Sequence, residues 1–209
     1  MTRKERALLF YDILASLYPD ALCSLNYNNP LELLIATQLS AQCTDARVNI
    51  VTAELFKKYP DVYAFADASL QELEKDIHST GFYHNKAKNI ISCCKKLISD
   101  FNGEVPDNMD DLLSLSGVGR KTANLVLGDV FGKGGMVIDT HAKRILYRVG
   151  LTKELLPEKI EKDTQILLPR DKHSDFCHRL VLHGRALCTA RSAKCSLCPA
   201  SDICKKQGV

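Results

Sequence analysis

A lysine and an aspartate eighteen residues apart, Lys121 and Asp139, are the residues of this chain best suited to chemistry. An amine beside a carboxylate can act as a nucleophile, with the carboxylate stabilising the cation that develops. A free lysine has a pKa of about 10.4, so only a few molecules in ten thousand are neutral at pH 7. Lys121 follows Arg120 at what reads as the positive end of a helix, and both features would depress it. Asp139 precedes Thr140-His141-Ala142-Lys143-Arg144, which looks like the start of another helix, so Asp139 is a natural N-cap. Backbone N–H groups around its carboxylate would keep it ionised, which suits charge stabilisation better than strong general-base work. The plainer readings are a solvated lysine and an ordinary capping aspartate.

Two elements must position this pair. A helix from about Arg120 to Phe131 would be roughly 18 Å long, and Gly132 to Ile138, if extended, would reach about 23 Å. The return leg is long enough to bring Asp139 back beside Lys121, with Gly132, Gly134 and Gly135 making the reversal. Upstream, Leu112 to Leu115 followed by Ser116-Gly117-Val118-Gly119 and a new helix reads as a helix-hairpin-helix. Glycines on either side of Val118 leave no side chain between the backbone N–H groups and an anion, so the turn can seat a phosphate. A bare Gly-x-Gly can equally be a C-cap and connector. Arg120 and Lys121 in the first turn oppose the helix dipole, so local stability does not account for them.

Four cysteines, Cys188, Cys195, Cys198 and Cys204, crowd the C-terminal segment with six, two and five residues between them. Such a set can enclose one metal centre without help from elsewhere in the chain, and its spacing alone leaves zinc and an iron-sulfur cluster open. A structural role fits best, with Arg191 and Lys194 displayed on the loop for phosphate contact. The remaining five, Cys23, Cys43, Cys93, Cys94 and Cys177, are scattered through apolar segments and read as core residues. An odd total of nine without a signal-peptide core argues for reduced thiols rather than a disulfide framework.

Composition sets the class. With 45% hydrophobic and 25% charged residues over 209 positions, the chain has the makings of one large or two small globular domains. No apolar run reaches the length of a membrane span, so a soluble intracellular protein is expected. The net charge of +3 says little, but its distribution says more. Gly119 to Val149 carries Arg120, Lys121, Lys133, Lys143, Arg144 and Arg148 against Asp129 and Asp139. Arg185 to Val209 carries Arg185, Arg191, Lys194, Lys205 and Lys206 against Asp202. Two such basic stretches suggest a polyanionic substrate, although a mixed-charge solvated surface would look similar.

Nearly every segment reads as helix. Asn29-Pro30-Leu31-Glu32 offers a cap, a proline at the first helical position and an acid at the third. Ser69-Leu70-Gln71-Glu72 repeats the capping-box spacing. A helix from about Asn85 to Phe101, with Ile90, Ile91, Leu97 and Ile98 on one face, should stop at Asn102-Gly103. Only Met136 to Ile138 could form a strand, too short to build a sheet. The pattern predicts an all-α protein of roughly ten short helices.

With these features in this order, the chain resembles the endonuclease III family of DNA glycosylases with lyase activity, in the helix-hairpin-helix superfamily. The resemblance runs from Leu33-Leu34-Ile35-Ala36 and Leu39-Ser40-Ala41-Gln42, through Leu115 to Ala123 and Val137 to His141, to the four cysteines. It implies two helical domains with an active-site cleft between them. One would be a six-helix barrel over 23–133, with the hairpin at about 108–131. The other would join 1–22 to 134–209 and carry a 4Fe-4S cluster, rather than zinc, in the loop 188–204. It further implies double-stranded DNA bearing a damaged pyrimidine or abasic site as partner, a monomer, no membrane, and a prokaryotic, nucleoid-associated cytoplasmic setting.

The implied roles follow residue by residue. Lys121 would attack the sugar C1′ carbon and Asp139 would stabilise the cationic transition state. The imine formed would permit β-elimination on the 3′ side of an oxidised or ring-damaged pyrimidine. Gln42 would fill the gap left by the flipped nucleotide. Phe82 falls where the family often has leucine as a wedge; an apolar ring can still wedge between bases, and the plainer reading is a buried hydrophobe beside Tyr83. Gly117, Val118, Gly119 and Arg120 would hold the backbone of DNA, and Asp45 and His141 would line the base pocket unless they merely cap helices. An adenine glycosylase resembles this chain in hairpin and cluster but lacks the lysine and usually carries a further C-terminal domain. A non-catalytic hairpin module would give Asp139 no reason to return to Lys121.

Overall fold

The computed structural model describes Met1–Val209 and is helical throughout, with no β-strand. The chain divides into two compact units, Cys23–Phe131 and Met1–Leu22 together with Gly132–Val209. Helix α1 (Arg3–Leu17) opens the second of these with a capping box, in which Thr2 and Glu5 satisfy each other's backbone N–H groups.

In the unit Cys23–Phe131, α2 (Pro30–Leu39) starts as its sequence predicts. Asn29 accepts from the Glu32 amide and Pro30 takes the first helical position. From Leu33 to Leu39 this helix is buried all round, which makes it the centre of the unit's core. Around it come α3 (Asp45–Lys58), α4 (Val62–Ala66), α5 (Leu70–Asp76), α6 (Tyr83–Phe101), α7 (Met109–Leu113) and α8 (Arg120–Asp129). Helix α6 buries Lys86, Ala87, Ile90, Cys93, Cys94 and Leu97, an i, i+3, i+4 stripe with one lysine in it. It ends at Asn102 in the left-handed conformation, and the Gly103 amide turns back to the Leu97 carbonyl. Helices α7 and α8 pack as a hairpin, and α8 also packs on α2.

The other unit continues with α9 (Thr140–Val149), α10 (Pro157–Thr164) and α11 (His173–Ala186). Helix α11 packs against both α9 and α1, with Phe10 edge-on to Phe176 at 6.0 Å. Met136 and Val137 are buried without a strand, and the Val137 amide donates to Cys177 Sγ at 3.2 Å. With no neighbouring extended segment to pair with, that short apolar run simply packs. Two local expectations also differ from the fold. Helix α8 stops at Asp129 rather than Phe131, the left-handed Gly132 following close behind. Ser69 begins α5 in extended geometry, yet its side chain makes no capping bond.

All nine cysteines are reduced. Cys93, Cys94 and Cys177 are buried, and Cys23 and Cys43 pack partly buried against the core. Burial pushes the Cys93 thiol to about 11 and Cys23 to about 12, which keeps both protonated and inert at neutral pH. No helix is long and apolar enough to cross a membrane.

Candidate active site

Two turns hold the hairpin together: the Leu115 amide bonds Leu112 O and the Val118 amide bonds Leu115 O. Its two glycines differ. Gly117 has φ of +75°, and a Cβ there would stand 2.8 Å from Gln38 Oε1 and 2.9 Å from Asn89 Cβ, so only glycine fits. Gly119 is extended and would meet nothing within 4 Å. It faces open space, as an approach route for a bulky anion requires. Val118 is only 8% exposed and belongs to the core, so any contact this turn makes is through backbone rather than that side chain.

Gly119 is the N-cap of α8, and no side chain caps the helix. Glycine, having no side chain, cannot supply the cap acceptor that closes most helix starts. Arg120 and Lys121 occupy the first two helical positions, both exposed. Lys121 thus stands on a helix, two residues beyond the second glycine of the turn.

Asp139 belongs to the other compact unit and caps α9 as its sequence predicts, Oδ1 accepting from the Ala142 amide at 2.7 Å. The next turn carries His141, whose Nδ1 lies 3.2 Å from the Arg144 guanidinium. An arginine can only donate, so Nδ1 accepts and the ring's proton resides on Nε2. Gly184 on α11 makes this packing possible, since a Cβ there would collide with His141 Nδ1. Asp45 is the first residue of α3, whose cap is Thr44. Neither Asp45 nor His141 is itself a capping residue.

Gln42 and Phe82 share a backbone peculiarity. Both are non-glycine residues in the left-handed region, with φ of 55° and 51°. That conformation costs on the order of 1–3 kcal/mol and persists only where the surroundings impose it. Phe82 is 62% exposed rather than a buried hydrophobe, and both residues line one pocket with Gln38, Ala41, Asn85, Lys86, Asn89 and Gly117.

The four C-terminal cysteines line a single pocket, together with Phe10, Arg148, His183 and Ala200. Four thiols on one loop are donors of the kind that hold zinc or an iron-sulfur cluster. The sulfurs also have polar neighbours. Arg148 Nη1 donates to Cys188 Sγ at 3.5 Å and the Lys206 amide to Cys204 Sγ at 3.3 Å, and His183 Nε2 lies 3.7 Å from Cys198 Sγ. Arg191 and Lys194 are exposed on the same loop.

The roles of three residues escaped the sequence reading. Arg144 and Arg148, one helical turn apart on α9, bind the carbonyls of Cys188, Thr189 and Ala190 and so carry the start of the cysteine loop. Their separation by four residues was a legible signal of a shared face. Lys86, a cation in the apolar register of α6, was another.

Residues 35–170 match the HhH-GPD superfamily of base excision DNA repair proteins. The endonuclease III of Synechocystis sp. is 50% identical over 97% of this chain and 93% of its own. A non-covalent endonuclease III–DNA complex matches 99% of this chain and 97% of its own at 43% identity and a TM-score of 0.92. A trapped endonuclease III–DNA covalent intermediate with an estranged adenine matches equally well. The chain therefore belongs to the endonuclease III family within the HhH-GPD superfamily.

Proposed function

We propose that this chain is a base excision DNA N-glycosylase with AP lyase activity, removing oxidised or ring-damaged pyrimidines from duplex DNA with Lys121 as nucleophile. One observation carries the reading. Lys121 stands exposed at the second position of an uncapped hairpin helix, in a chain that shares its fold with a relative trapped covalently on DNA.

The chemistry then runs through this chain's own side chains. Lys121 Nζ attacks C1′ of the flipped nucleotide with its lone pair, the N-glycosidic bond breaks, and the damaged base leaves with that bond's electron pair and takes up the proton that Nζ gives up. The Asp139 carboxylate stabilises the cationic sugar as that bond stretches. The sugar ring opens to an imine on Nζ, a C2′ proton is lost, and the C3′–O bond breaks in β-elimination. Weak stacking of a damaged base lowers the cost of flipping it. Gln42 fills the vacated position, Phe82 wedges between bases, and Asp45 and His141 line the base pocket.

Gly117, Val118, Gly119 and Arg120 hold the strand's phosphates through the hairpin, with Arg191 and Lys194 adding contacts from the loop. Cys188, Cys195, Cys198 and Cys204 would hold a 4Fe-4S cluster, whose bonds to four thiolates would tie that loop into one conformation. The protein would act as a monomer on nucleoid DNA. The test is borohydride trapping on a duplex with one thymine glycol. A covalent adduct from the wild type that disappears in Lys121→Gln supports the reading. No adduct on that lesion or on an abasic site removes the lysine mechanism and leaves a monofunctional glycosylase or a binding module.

A further inference from the structure

Lys86 is buried to 6% exposure in the face of α6 that otherwise packs Ala87, Ile90, Cys93 and Leu97. A lysine in such a place must repay the loss of its hydration. Its Nζ donates not to a carboxylate but to two backbone carbonyls, Leu39 O and Thr80 O, each at 2.8 Å. Desolvation still pushes its pKa below the ordinary lysine value.

The two carbonyls are informative. Leu39 is the last residue of α2 and Thr80 the last of the 3-10 turn His78–Thr80, so each is a helix-end acceptor at the negative end of its dipole. One ammonium therefore closes two helix ends that lie forty-one residues apart in sequence. Three residues after Leu39 comes Gln42, and two after Thr80 comes Phe82. These are the two left-handed residues that line one pocket, and Lys86 lines it with them. Backbone strain at both is sustained by whatever anchors the turns that carry them.

We infer that Lys86 is a positioning residue: by pinning Leu39 O and Thr80 O to one Nζ, it fixes the spacing of Gln42 and Phe82 so that the two enter the duplex as a single two-pronged unit. This rests on the reading that Gln42 and Phe82 insert into DNA. A neutral side chain of similar length would leave two buried carbonyls unpaired and release the turns from each other. Lys86 is buried and its Nζ is turned to two backbone carbonyls, so the chemistry of Lys121 itself should survive its loss.

The test is a mutant cycle on the cluster-loaded protein. The duplex carries a thymine glycol with 2-aminopurine on the facing strand, whose fluorescence rises when it is unstacked. The wild type should raise the fluorescence and release the base. Lys86→Met should lower the rise and slow single-turnover base release by about tenfold, while still giving a borohydride-trapped imine at a preformed abasic site. In a Gln42→Ala/Phe82→Ala background, Lys86→Met should change the rate by less than about twofold, because its effect passes through those two prongs.

A Lys86→Met enzyme with wild-type fluorescence and rate overturns the proposal. An equal loss in both backgrounds also overturns it, as general damage to the fold. A wild type that releases the base without any rise in fluorescence removes insertion itself and the proposal with it; one that releases no base removes the assigned activity. Should Lys86→Met not fold, the same cycle is run on Lys86→Gln, whose amide can still donate to one carbonyl, and the same outcomes decide.

Discussion

The starts of α8 and α9 are the same structural element dressed in opposite ways. Helix α9 closes its own N-terminus, with the Asp139 carboxylate on the Ala142 amide. Helix α8 does the reverse, with Gly119 at the cap, no side-chain acceptor, and Arg120 and Lys121 in its first turn against the dipole. The first arrangement stabilises a helix; the second forgoes that stability and leaves positive potential facing outward. A helix start left open and made more positive is therefore the better sign of an anion site. A self-capped one can still offer its carboxylate to a cation.

Substitutions at four positions would break or sharpen this contrast. The largest effect belongs to Lys121→Gln, which should abolish the borohydride-trapped adduct while leaving thermal stability near wild type, since the residue is exposed. A trapped adduct that persists would move the nucleophile elsewhere.

Asp139 should then separate its two roles. Both Asp139→Asn and Asp139→Ala should slow base release by about 10²–10³-fold, the scale of losing one charge-stabilising group. Only Asp139→Ala should also lose about 1 kcal/mol of stability in urea unfolding, because asparagine still caps a helix. Equal stabilities for the two would mean that the Ala142 bond contributes nothing.

Gly117→Ala comes next, at about 1–3 kcal/mol of stability, from a positive φ combined with contact against Gln38 and Asn89. Gly119→Ala meets no neighbour and should cost less than about 1 kcal/mol. A urea series on both variants would show whether the crowded glycine or the open one governs the hairpin.

Gly119→Asp is the most pointed of these substitutions, for it gives α8 the cap of α9. Stability should hold or rise by about 0.5–1 kcal/mol. Affinity for an abasic-site duplex, measured by fluorescence anisotropy at fixed salt, should fall about tenfold because a carboxylate now occupies the phosphate's place. Unchanged affinity would mean that the hairpin's open end does not seat the backbone of DNA.

How much of this was legible beforehand depended on range. The Asn29 cap with Pro30, the stop at Asn102-Gly103 and the Asp139 cap were all readable, because each is a contact between residues a few positions apart. Even local reading failed at Ser69, where the right spacing produced no capping bond, and at the end of α8, two residues early. Phe82 needed the fold, since its exposure depends on what packs around it and a phenylalanine beside Tyr83 reads equally well as core.

The sequence by itself determined the helical class, most of the places where helices begin and stop, the lysine on its glycine hairpin and the clustered cysteines. Those follow from backbone preference and short-range hydrogen bonding, which are written within a few residues. Only the tertiary structure decided that Gly117 sits on Gln38, that Arg144 and Arg148 carry the cysteine loop, and that Lys86 ties the end of α2 to the turn before Phe82. These contacts join segments far apart in the chain. Their existence depends on the full packing of the chain, since an ion or a glycine finds its neighbour only once the helices between them have been placed.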